Sequence, residues 1–109
     1  MTSLSEAGFI GLSAALLAIA LFGVLTRRNF ILLLIALEIG MNAAILNFVY
    51  FAAFPNPATG VAPVLTGQSI AIIVIGLAAT EIAVGLAIVL ALNRIKGSIN
   101  VAEAASLRE

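Results

Sequence analysis

Three long runs of apolar residues, separated by two short polar breaks, make up almost the whole chain. The runs cover about residues 4–25, 30–54 and 64–93, and each exceeds the roughly 20 residues that an α-helix needs to cross a hydrocarbon core about 30 Å thick. Because lipid offers the backbone no hydrogen bonds, a helix is expected for each run. The pattern predicts an all-α membrane protein with three transmembrane helices. A single membrane domain would span residues 1–109, ending in a short polar tail over 97–109.

The breaks between the runs predict how the helices cross the membrane. All five basic residues lie in the first break or after the third run, at Arg27, Arg28, Arg94, Lys96 and Arg108. Basic loops stay on the cytoplasmic side, so we expect the N-terminus outside and the C-terminus in the cytoplasm. A signal peptide has basic residues before its apolar stretch. In this chain no basic residue precedes the first run, and the start of that run contains the acidic Glu6. We therefore expect the first helix to be retained.

Composition supports this class and excludes others. Charged residues form 9% of the 109 residues and the mean hydropathy is +1.26, whereas soluble domains carry about 25% charged residues. The net charge of zero argues against nucleic-acid binding. The chain has neither cysteine nor histidine, which excludes thiolate and imidazole metal ligands, iron–sulfur or haem ligation and disulfides. We therefore expect this chain to bind no metal and no cofactor.

Two carboxylates, Glu38 and Glu81, are the only ionisable groups between Arg28 and Arg94 apart from a tyrosine. A charge at the bilayer centre costs at least about 2.5–3.5 kcal/mol, so such a residue is a functional candidate. At a rise of about 1.5 Å per residue, Glu38 lies about 15 Å from Arg28 and Glu81 about 20 Å from Arg94, near the midplane in both cases. Burial favours the neutral form of a carboxyl group, which can then take up and release a proton. The pair predicts a proton relay, with protonated glutamates joining helices as the alternative.

Neighbouring residues predict a polar, loosely filled seam around these carboxylates. Asn42 is four residues after Glu38 and so shares its helix face. Thr80 stands beside Glu81 among small residues at Gly76, Ala79, Ala83, Gly85 and Ala87. Small side chains let another helix approach closely. Asn47 lies more to the side, where joining helices is as reasonable a role as transport.

The segments around both glutamates resemble a known family. Arg27-Arg28-Asn29, followed by Leu34 to Ile39 and Asn42-Ala43, resembles the second helix of subunit K of the proton-pumping NADH–quinone oxidoreductase, complex I, called subunit 4L in mitochondria. The stretch from Ala78 to Ile88 is similar to its third helix, and the tail from Asn100 to Leu107 to its polar C-terminus. Related complexes that oxidise reduced coenzyme F420 or ferredoxin have a similar subunit.

The resemblance implies a membrane-arm subunit without a redox centre. Carried over by position, Glu38 and Glu81 would be the buried glutamates of a hydrophilic axis that relays protons. Arg27 and Arg28 would be the basic pair of the first loop, with a loop role or as topology anchors. Flavin, iron–sulfur clusters and quinone are expected in partner subunits, and the partners are the other membrane-arm subunits and the lipid bilayer. The location implied is the inner, or cytoplasmic, membrane of the cell or an equivalent energy-coupling membrane.

Three alternatives compete with this interpretation. A small subunit of a multisubunit cation/proton antiporter is the nearest, and the match at both glutamate segments favours the redox complex over it. A rotor-ring subunit of ATP synthase would have two helices and one carboxylate. A structural membrane spacer would not need carboxylates at matched depth.

Overall fold

The computed structural model describes residues 4–55, 58–97 and 100–105. These residues form α1 (Leu4–Thr26), α2 (Phe30–Ala52), α3 (Val64–Lys96) and the short α4 (Val101–Ala105). The first three helices are long and apolar enough to cross a membrane, which confirms the prediction of an all-α protein with three membrane-spanning helices. The orientation of the termini and the single-domain division stay predictions. The predicted polar tail lies partly outside the described residues, as does Arg108.

The helix ends follow from local hydrogen bonding. Asn29 caps α2, because its Oδ1 accepts hydrogen bonds from the backbone N–H groups of Ile31 at 2.9 Å and Leu32 at 3.4 Å. The third helix ends at Gly97, whose φ of +68° is a left-handed conformation that glycine adopts without strain. Arg94 lies in the last turn of α3, where a cation interacts favourably with the helix dipole.

The helix α2 lies in the middle and packs against both α1 and α3. The molecule is elongated, with extents of 58 × 24 × 18 Å. Its buried residues are mostly alanines, and many large aliphatic side chains of all three long helices are exposed. The helices therefore associate through close backbone approach, as is typical of membrane proteins, and present an apolar outer surface.

One face of α2 forms a regular contact with α1. We call it the α1–α2 seam, and it comprises Phe9, Ser13, Leu16, Ala20 and Gly23 of α1 with Ala36, Gly40, Ala43, Asn47 and Tyr50 of α2. Both sets follow alternating steps of four and three residues, the spacing of left-handed helix packing. The rings of Phe9 and Tyr50 stack at 4.2 Å at one end. Near the other end, a Cβ atom on Gly23 would lie 2.7 Å from that of Ala36.

The C-terminal segment packs against the turn between α1 and α2. The backbone N–H of Val101 donates to the carbonyl oxygen of Arg28 at 2.7 Å, and Asn29 forms an antiparallel bridge with Asn100. The Asn100 side chain also accepts a hydrogen bond from the Ala102 N–H at 2.9 Å. Hydropathy did not predict this attachment, which holds Asn100 and Val101 beside the basic turn.

Candidate functional site: the carboxylate seam between α2 and α3

The two intramembrane carboxylates lie along a second seam on α2. This α2–α3 seam comprises Leu34, Glu38, Met41, Ile45, Phe48 and Ala52 of α2 with Gly67, Ala71, Val74, Ala78 and Gly85 of α3. Each set again follows steps of four and three residues, and Glu81 continues the α3 spacing at the exposed edge of the seam. Glu38 and Glu81 are the only ionisable residues at these positions, Glu38 half-buried and Glu81 exposed.

Two contacts establish the register of α3 against α2. A Cβ atom on Gly67 would overlap the Cβ atom of Ala52. At the other end, a Cβ atom on Gly85 would lie 2.5 Å from Leu34 Cδ2. The step from Gly67 to Gly85 along α3 has as many residues as the step from Ala52 back to Leu34 along α2. Because equal steps along antiparallel helices keep two residues level, this register extends through the whole seam.

The register brings the two carboxylates to one depth. Glu38 comes four residues after Leu34, and Glu81 comes four residues before Gly85. Since the helices run antiparallel, both steps go the same way, about 6 Å at the rise of an α-helix. Glu38 and Glu81 therefore lie at the same level along the two helices.

The Glu38 side chain lies in an apolar groove on one side of this seam. The residue is half-buried, and the groove, of about 200 Å³, is lined by aliphatic residues of α2 and by Ile82 and Leu86 of α3. A charged carboxylate has no favourable contacts among such groups.

The Glu81 side chain is exposed on the surface of the three-helix unit. A carboxylate on a membrane-facing surface would pay the cost of contact with lipid, and intramembrane ionisable groups almost always face protein or water instead. Ala79, Ala83 and Ala87 are exposed too. This side of α3 therefore needs a polar neighbour from outside the chain.

The supporting residues predicted from the sequence occupy different places. Asn42 is exposed and lies one turn from Glu38 along α2, so it could interact with the same water or partner. Thr80 is exposed and donates its hydroxyl to the carbonyl oxygen of Leu77 at 2.6 Å. It falls outside the four-three spacing of the seam, and the roles of both residues stay predictions.

The basic pair of the first loop lies at one end of the molecule. Arg27 and Arg28 are both exposed, and the Arg28 carbonyl holds the C-terminal segment as described above. The turn is about 15 Å along α2 from Glu38. Neither arginine can form a direct ion pair with that carboxylate at this distance, so the basic pair lies apart from the level shared by the two glutamates.

The structure also reveals a polar cluster in the α1–α2 seam that the sequence analysis did not recognise. Ser13 is buried, with its hydroxyl donating to the Ile10 carbonyl at 3.0 Å. Asn47 Oδ1 and Tyr50 Oη are buried and have no hydrogen-bond partner among the described residues. The signal available in the sequence was the four-three spacing of Asn47 and Tyr50 with Ala43 and Gly40. By this spacing Asn47 lies on the side of α2 that faces α1, and its role stays a prediction.

Metal binding receives no support from the described residues. Over 4–55, 58–97 and 100–105 there is no group of three or more Asp, Glu, His or Cys side chains that could hold an ion. Fold and site together define a small multi-pass membrane protein with one carboxyl group in each of two neighbouring membrane-spanning helices.

Comparison with known proteins identifies the family. Residues 9–109 match the family model of NADH-ubiquinone/plastoquinone oxidoreductase chain 4L. The chain is 46% identical over 102 residues to NADH-quinone oxidoreductase subunit K 1 of Syntrophobacter fumaroxidans, covering 92% of this chain and 93% of that protein. It is 40% identical over 108 residues to subunit K of Bacillus anthracis, covering 99% of both. The chain belongs to this family, which confirms the resemblance found in the sequence. Membership in a family of complex subunits implies other subunits of the complex as partners.

Proposed function

We propose that this chain is a membrane-arm subunit of a complex I-type oxidoreductase that relays protons through Glu38 and Glu81. Electron transfer to a quinone-type acceptor takes place in partner subunits, which hold the flavin, the iron–sulfur clusters and the quinone. The chain itself contributes no redox group. The assembly lies in the cytoplasmic membrane or an equivalent energy-coupling membrane.

The observation that carries the proposal is the matched depth of the two carboxylates on neighbouring helices. A structural contact between helices can use alanine and glycine without any acid, as half of the α1–α2 seam does. Two acids at one depth add a cost that packing does not require. That cost is understandable if the groups exchange protons.

The surroundings of the two groups suggest how they act in sequence. Glu38, in its apolar groove, passes its proton to Glu81 when Glu81 is ionised. Glu81, on the outer surface of α3, then releases that proton to water or to a side chain of a neighbouring subunit. Glu38 takes up another proton, and this uptake returns the pair to its starting state. Because three helices do not enclose a path, transport requires the assembled complex.

The test removes each protonatable carboxyl group while keeping the size of the side chain. Glu38→Gln and Glu81→Gln are introduced into the assembled complex, with Met41→Leu as a control in the same seam. We expect normal subunit content, with the number of protons pumped per electron, or the coupled rate, lowered in both glutamine variants. Met41→Leu should pump like the wild type. If both glutamine variants pump at the wild-type rate and stoichiometry, the carboxylates only join helices and the proposal is wrong.

A further inference from the structure

An apolar groove with one charged end lies between α1 and α2, on the side of the basic turn. The groove has a volume of about 340 Å³. Its walls include Ile19 and Phe22 of α1 and Leu32 and Ile39 of α2, and Arg27 is the only charged residue that lines it. It is separate from the groove of about 200 Å³ that contains Glu38.

Like a lipid molecule, the groove is charged at one end and apolar along the rest of its length. Arg27 follows the last residue of α1, where the helix reaches the membrane boundary, whereas Ile19 is about 12 Å deeper along the helix. Ile19 and Phe22 are 55% and 61% exposed, so no other part of the described chain covers the apolar wall. A cation at the boundary and an aliphatic channel leading inward match a phosphate headgroup followed by an acyl chain.

We propose that this groove binds an anionic phospholipid, with its phosphate on Arg27 and one acyl chain along Ile19, Phe22 and Ile39. An arginine guanidinium donates two parallel hydrogen bonds to a phosphate and stays charged at any physiological pH. Basic pockets between membrane helices are a recurrent means of holding anionic headgroups. The competing occupant is a helix of another subunit. Such a helix would need an acidic residue opposite Arg27 to fill the same groove.

The experiment uses two photoactivatable lipids and the assembled complex in nanodiscs. One probe is phosphatidylglycerol and the other phosphatidylcholine, both with a diazirine in the same acyl chain, and the labelled residues are mapped by mass spectrometry. We expect the anionic probe to label the groove walls, residues 19–22 and 32–39, about fivefold more than the zwitterionic one, the factor for one arginine near an anionic headgroup. Equal labelling by both probes would contradict the proposal. So would no labelling by either, because a protein helix would then occupy the groove.

Two matched pairs of variants separate the groove from general attraction. Arg27→Gln should remove the preference for the anionic probe, whereas Arg28→Gln removes the same charge one residue away and should keep most of it. Equal loss in both variants means diffuse electrostatics and overturns the site. Ile19→Trp should fill the groove and lower labelling without a change of charge, whereas Leu21→Trp, on an exposed position outside the groove, should not. If Arg27→Gln prevents assembly, the tryptophan pair decides, and equal labelling in both overturns the proposal.

Discussion

The two seams of α2 have the same spacing but differ in what they place between the helices. In the α1–α2 seam the polar groups are neutral: a buried serine, the Asn47 amide and the Tyr50 hydroxyl. In the α2–α3 seam they are two carboxylates at one depth, Glu38 and Glu81. Both seams rely on close approach at glycine and alanine, for example Gly23 against Ala36.

The difference separates packing from chemistry. Neutral polar groups between membrane helices stabilise association modestly, by about 0.6 kcal/mol on average. A carboxylate at the same depth costs several times more, at least about 2.5–3.5 kcal/mol. The α1–α2 seam thus has what a fixed helix contact needs. The α2–α3 seam carries an additional cost that helix packing does not explain.

The greatest disruption is expected at Gly67, where α3 approaches α2 most closely. A side chain there would overlap Ala52 and place its Cβ atom 2.8 Å from the Phe48 carbonyl oxygen, which is backbone and cannot move aside. Gly67→Leu should cost more than about 3 kcal/mol, beyond the usual cost of overpacking. The subunit should be lost from the complex, as measured by immunodetection in purified membranes.

The control for this variant is Gly76→Leu in the same helix. No atom lies within 4 Å of a Cβ atom built on Gly76, so the added side chain meets open space within this chain. Normal incorporation of both variants would show that the α2–α3 seam is looser than described.

A smaller effect is expected at the other end of the seam. A Cβ atom on Gly85 would meet the Leu34 side chain, 2.5 Å from its Cδ2 atom, and the end of a leucine can change rotamer. Gly85→Ala should therefore cost about 1–2 kcal/mol and lower the thermal stability of the complex. A second change, Leu34→Ala, should recover part of that loss, and failure to recover any would place the clash elsewhere.

A smaller effect still is expected in the neutral seam. Asn47→Leu keeps the branched shape of the side chain and removes an amide oxygen that has no partner among the described residues. Because such a replacement is nearly neutral, the stability change should stay within about 1 kcal/mol. Proton pumping by the variant should remain close to wild type. Loss of pumping with intact assembly would assign the α1–α2 seam a transport role and remove the contrast between the seams.

The smallest effect is expected for Tyr50→Phe. The variant keeps the stacked contact with Phe9 and the edge contacts with Phe51 and Phe54. It removes only a buried hydroxyl without a partner in the described chain, so the change should be under about 1 kcal/mol. Tyr50→Ala, which also removes the ring, should cost about 3–5 kcal/mol by comparison with other aromatic truncations. Equal effects of the two changes on thermal stability would contradict a role for ring packing.

The three helices could be predicted because length and hydropathy alone select membrane spans. The two carboxylates stood out for a similar reason, since they are the only acids in long apolar runs. Short polar breaks separated the runs, and in the structure Asn29 of the first break caps α2.

The faces of the helices could not be predicted in the same way. A span that is apolar all round has no polar side to exclude from contact, so hydropathy does not say which side meets which neighbour. On α3 the alanines at 79, 83 and 87 have suitable spacing for close packing, yet they are exposed, and Ala71 and Ala78 are buried instead. The register of Glu38 against Glu81 depends on that choice. It required the contacts at Gly67 and Gly85.

The central claim, that Glu38 and Glu81 take up and release protons during turnover, can be tested by infrared difference spectroscopy of the assembled complex. Spectra taken with and without turnover report the protonated carboxyl groups that change state. We predict a carboxyl C=O difference band in the wild type and in Met41→Leu, reduced in Glu38→Gln and in Glu81→Gln. An identical band in all four proteins would mean that neither carboxylate changes its protonation, and would contradict the relay.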